Sequence, residues 1–151
     1  MANSRTDIDK SASTEAGQAA EVGSLRLRRE FLFVQHNGVR QVMPDFILQA
    51  AIPDAHPGSP SAHPSVRYIR TGLTASKKVG NAVLRNRAKR RMRVLMAQLS
   101  QMHTPCRADY VLVARRSLTS ADWSTLCADF TTAAERVNRK LLAADDQERA
   151  L

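Results

Sequence analysis

Beyond Gly80, apolar side chains return at helical spacing: Leu84, Ala88, Met92, Leu95 and Leu99 fall on one narrow stripe of a helical wheel. Such a stripe has to be buried, so the segment is expected to be a helix packed on a core. The rest of the wheel carries cations. Asn86, Lys89, Arg90 and Arg93 lie opposite the stripe, and Arg85, Arg87 and Arg91 lie on its flanks. No Asp or Glu occurs between Asp54 and Asp109. The helix therefore lacks the acid–base pairs with which a surface helix neutralises itself, and its charged side repels itself unless a polyanion covers it.

The net charge of +9 and pI near 10.5 agree with a polyanionic partner but say nothing of the fold. Just before the helix, Lys77 and Lys78 precede Gly80 and Asn81, where free backbone N–H groups are expected to meet phosphate oxygens. Arg outnumbers Lys within the helix, which suits forked donation to phosphates and stacking on bases.

The flanking segments supply a small α+β domain. Residues 1–22 are polar and small, and are expected to form a disordered tail. A short helix is predicted from about Arg28 to His36, ended at Asn37-Gly38. Strands are predicted over Asp45–Ile52, Val66–Ser76 and residues 109–116, with Gly72 marking a bend, a bulge or a close backbone approach. Between the first two strands, residues 53–64 are too rich in Pro and Gly for anything but an exposed loop.

Thr119 and Asp122 offer a start to a final helix whose Leu126, Phe130, Ala133, Val137 and Leu141 face the core. Trp123 is expected in the core as well, and residues 143–151 are expected to fray. The order is thus helix, strand, strand, helix, strand, helix: a two-layer α+β sandwich over residues 23–142, with a small sheet covered mainly on one side.

Several function classes fall away. Cys106 and Cys127 are too far apart for a paired metal knuckle and read as small core residues. His56 and His63 lack a third ligand nearby and read as solvated loop histidines, so no metal site is expected. Paired carboxylates and a nucleophile motif are both missing from the basic block, which leaves no catalytic residue to nominate. The helix stripe has no interfacial Trp or Phe, and no apolar core follows Met1, so neither a membrane partner nor a secretory signal is expected and the cytoplasm follows.

The stretch GLTASKKVGNAVLRNRAKRRMR, Gly72 to Arg93, closely resembles the signature of the protein subunit of bacterial ribonuclease P, including its Arg85-Asn86-Arg87 element. RREFLFVQHNG, PDFILQA and ADYVLVARR flank it in the family's order, so the resemblance covers about residues 24–140.

The resemblance implies a ribonucleoprotein endonuclease that removes the 5′ leader of precursor tRNA. In it the RNA subunit and its bound Mg2+ carry the chemistry, and the protein is a cofactor with no small-molecule substrate. It also implies an α+β sandwich with a left-handed βαβ crossover. By position, Lys77, Lys78, Arg85, Arg87, Lys89, Arg90, Arg91 and Arg93 would contact the catalytic RNA, with Asn86 among them. Arg85, Asn86 and Phe31 would meet the leader. Gln35 and Gln49 stand where the family often has aromatics, and Phe33 could replace them only if it faces the leader. A general or ribosomal-type RNA-binding module is the alternative, and a protein-only nuclease is a third.

Overall fold

The computed structural model describes residues 20–53 and 67–150. The expectations for residues 1–19, for most of the Pro-rich loop and for His56 and His63 lie outside the described residues. The elements in chain order are β1 (Glu21–Ser24), α1 (Arg28–Asn37), β2 (Val39–Val42), β3 (Phe46–Ala51), β4 (Tyr68–Thr74), α2 (Ala82–Ala97), β5 (Arg107–Ala114) and α3 (Trp123–Ala150). Short 3-10 turns cover Lys77–Val79, Gln98–Gln101 and Arg116–Thr119.

The strands form one mixed five-stranded sheet in the order β1-β4-β5-β3-β2. β1 and β5 run parallel to β4, while β3 runs antiparallel to both β5 and β2. The neighbouring parallel strands β4 and β5 are therefore joined by α2, which places the basic helix against the sheet.

The α+β sandwich holds, with corrections. β1 and β2 were not foreseen, and Glu21 and Val22 open a strand rather than ending a tail. Both missed strands are four-residue sheet edges with little apolar pattern of their own, held by pairing with β4 and β3. The chain end is helical through Ala150 instead of fraying from residue 143.

One face of the sheet carries the main core. Phe46, Leu48, Ile69, Tyr110 and Leu112 meet Ala88, Met92, Leu95 and Leu99 from the basic helix and its following turn, and Leu126, Phe130 and Val137 from α3. Each large side chain buried here contributes about 1.5–3 kcal/mol. The Tyr110 hydroxyl donates to the Asn138 side chain, tying α3 to the central strand, and burial pushes its pKa far above the phenol range. α1 covers the other face with a smaller cluster, in which Leu25, Val34, Ala51 and Val111 are joined by Phe31, Phe33 and Val113.

Three side chains depart from their expected places. Leu84 is exposed rather than buried with the stripe, because it folds over Gly80, whose φ of +145° only glycine adopts readily; a Cβ there would lie 2.5 Å from Leu84 Cδ1. Cys106 is exposed, whereas Cys127, half-buried, packs against the main core as expected. Trp123 is 38% exposed at the first turn of α3. Asp122 alone caps that helix, its Oδ2 accepting from the Thr125 amide at 3.1 Å, while Thr119 belongs to the preceding turn.

Candidate nucleic-acid interface

α1 and α2 flank β4, and an open cleft lies between them. Phe31, Leu73 and Lys89 line both of its halves. One half continues along Gly72, Arg93 and Met96, the other along Arg26, Arg28, Leu32 and Gln35. The floor is aromatic and aliphatic, and the rim carries four cations without one acidic side chain.

Phe31 can form that floor because residue 72 has no side chain. The ring lies on the β4 backbone so closely that a Cβ on Gly72 would fall 2.5 Å from Phe31 Cε1. The expected close backbone approach at Gly72 is thus an aromatic ring resting on the strand.

α1 is held over the sheet by a three-way ionic contact beneath it. Arg70 of β4 donates from Nε to Asp109 Oδ1 at 2.8 Å and from Nη2 to Asp109 Oδ2 at 2.6 Å, while its Nη1 bonds Glu30 of α1. Glu30 also accepts from the Leu27 and Arg26 amides at 2.8 and 3.1 Å, which satisfies the first turn of the helix. Burial pushes the Glu30 carboxyl up, but those two amides and Arg70 outweigh it and hold its pKa below the usual value. Asp109, ahead of the opposing effect of burial, holds the Arg70 guanidinium more firmly charged than usual. Glu30, on the same helix as Phe31, is therefore already neutralised from below.

The basic helix is capped by Asn81, whose Oδ1 accepts from the Leu84 amide at 3.0 Å. Lys77 and Lys78 are exposed on the preceding turn, anchored by buried Val79. Of the amides expected to be free at this helix entry, those of Lys78, Val79 and Gly80 are bonded instead, to Ser76 Oγ, Ser76 O and Lys77 O.

The helix cations divide among three directions. Lys89 and Arg93 line the cleft. Asn86, Arg87 and Arg90 are exposed. Arg85 is half-buried, and its Nε is buried without a hydrogen-bond partner among the described residues. Arg85 and Asn86 stand one turn before Lys89 and line neither half of the cleft.

Arg91 differs from the rest. Its Nη1 donates to the carbonyls of Leu118 and Ala121 at 3.0 and 2.7 Å, and its guanidinium carbon lies 5.7 Å from the centre of the Trp123 ring. Counted among the RNA contacts from sequence, it is engaged with the protein itself.

Gln35 lines the cleft where an aromatic was missed, whereas Phe33 packs in the small cluster beneath α1 and offers no substitute. Arg26 and Arg28 were overlooked as rim cations; their signal was the alternation of Arg with Leu25 and Leu27 ahead of α1. Among the described residues, no group of three or more His, Cys, Asp or Glu side chains comes together to hold a metal ion, and no helix is long and apolar enough to cross a membrane.

The family model described as Ribonuclease P matches residues 21–138. The ribonuclease P protein component of Paramagnetospirillum magneticum is 38% identical over 119 residues, covering 79% of this chain and 85% of the relative. That of Nitratiruptor sp. is 36% identical over 119 residues, covering 79% and 95%. Among solved structures, the ribonuclease P protein of Thermotoga maritima superposes with a TM-score of 0.59 at 24% identity, covering 76% of this chain and 96% of that one. The Staphylococcus aureus protein gives 0.58 at 20% identity with the same coverage. The solved structures share the fold, and the family model and curated relatives share the sequence across nearly all of it: the chain belongs to the ribonuclease P protein family.

Proposed function

We propose that this chain is the protein cofactor of a ribonuclease P ribonucleoprotein, in which it binds the catalytic RNA and the 5′ leader of precursor tRNA and so promotes endonucleolytic 5′ maturation. The observation that carries this reading is the cleft, where Phe31 rests against Gly72 with Lys89 and Arg93 at its rim. An aromatic floor beside cations holds unpaired nucleotides with little sequence preference, since every base has a π-face and every linkage a charge.

The exposed side of α2, with Arg87, Arg90 and half-buried Arg85, together with Lys77 and Lys78 on the preceding turn, would grip the structured RNA. Mg2+ and the bond-breaking chemistry belong to that RNA in this reading, and the protein's side chains only bind and position. The leader would cross Phe31 and then meet Leu32 and Gln35, the latter standing where the family pattern often has a second aromatic.

The test is leader-dependent affinity. With the catalytic RNA present, the full chain should favour precursor over mature tRNA, and Phe31→Ala should reduce that preference by about tenfold while leaving binding to the catalytic RNA intact. Equal affinity for precursor and mature tRNA would rule out the leader contact and leave a general RNA-binding module as the better description.

A further inference from the structure

The flank of α2 opposite the cleft faces a second surface that the leader reading does not use. Arg91 reaches across it and bonds the carbonyls of Leu118 and Ala121, and its guanidinium stacks toward the Trp123 ring. Trp123 opens α3 and stays 38% exposed, so part of the indole is left in solvent.

Further cations lie on the neighbouring turns. Arg115, Arg116 and Ser117 are exposed on the turn leading to α3, that turn packs against the Lys77–Val79 turn, and Arg87 lies one helical turn before Arg91 on the same flank. The turn itself is firmly built, with Leu118 fully buried, the Arg115 amide bonded to Asp45 O, and Arg115 Nη1 donating to Met43 O at 3.3 Å. Asp122, the one acid on the turn, faces its own helix, where its Oδ2 accepts from both the amide and the hydroxyl of Thr125.

We propose that Trp123 and the Arg115–Arg116 turn form a second nucleic-acid contact, separate from the Phe31 cleft, in which the indole stacks an unpaired base of the structured RNA and the two arginines meet adjoining phosphates. Arg91 is the positioning residue, since it fixes the indole from the protein side. Charge selects the occupant: an exposed indole held by Arg91, beside a turn that carries Arg115 and Arg116 and packs on the Lys77–Val79 turn, suits a polyanion carrying flat bases. The inference rests on the reading that α2 binds RNA, and adds a base contact on the side away from the leader.

Trp123 is the sole tryptophan of the chain, so emission excited at wavelengths that tyrosine does not absorb reports on this site alone. Titrating the full chain with the catalytic RNA subunit, without precursor tRNA, should quench that emission along the same isotherm as filter binding, and Phe31→Ala should leave the quench unchanged. Trp123→Leu, which keeps apolar bulk but has no π-face, should weaken catalytic-RNA binding on the order of tenfold, and Trp123→Phe should retain most of it. Full RNA binding by filter with unchanged emission would overturn this contact while sparing the cofactor reading, as would wild-type affinity in Trp123→Leu. Absence of any RNA binding by the wild-type chain would overturn both.

Discussion

The Phe31 ring lies on the backbone of Gly72 so closely that no side chain fits between them, with only 2.5 Å from ring Cε1 to the position a Cβ would take. A helix residue thereby becomes the floor of a cleft whose rim belongs to a different helix. Gly72→Ala should push the ring aside, since the far end of a side chain yields before a strand does. We expect a stability loss of about 1–3 kcal/mol from overpacking. The preference for precursor over mature tRNA should fall as in Phe31→Ala, measured by competition binding. A variant that keeps the preference intact would show that the ring's seat on β4 is immaterial.

Arg85 and Arg90 are expected to meet phosphates of the RNA. Each alanine variant should make the dependence of log affinity on log salt shallower by about one unit. Titrations at several salt concentrations read this directly, and an unchanged slope in either variant would remove that residue from the interface.

Arg91→Ala should behave differently from its neighbours. It loses two hydrogen bonds from a charged donor to the carbonyls of Leu118 and Ala121, with the Trp123 stack, so a stability loss of about 1–3 kcal/mol is expected in denaturant unfolding. Its salt slope should stay near the wild-type value, because the guanidinium is held by the protein. A shallower slope with unchanged stability would place Arg91 among the phosphate contacts.

Glu30 gives the α1 anchor a pH dependence. Its pKa is depressed in the folded chain, so its contribution is fully present above the unfolded carboxyl value of about 4.3 and is lost as pH falls through the lower folded value. Melting temperatures across that acid range should therefore decline more steeply for the wild type than for Glu30→Gln. Parallel curves would mean that the Arg70 contact adds no linkage.

The buried stripe of α2 was legible because helical spacing at Ala88, Met92, Leu95 and Leu99 is a local property, and these residues are buried. Leu84 broke the pattern through the backbone of Gly80, which a helical wheel ignores. β1 and β2 were invisible because edge strands of four residues gain their order from partners distant in the chain. The Arg70–Glu30–Asp109 contact joins residues about forty positions apart, and no spacing rule could announce it. The same blindness put Arg91 with the outward cations, since the carbonyls that capture it lie on a turn 27 to 30 residues further on. Phe31 was placed through family resemblance, and the structure supplies the physical reason in Gly72.

Cleavage of a precursor tRNA by the catalytic RNA at low magnesium, with and without the purified full chain, tests the cofactor role most directly. The expected result is 5′ processing with the chain present and failure of the RNA alone. Equal cleavage with and without the chain would contradict it.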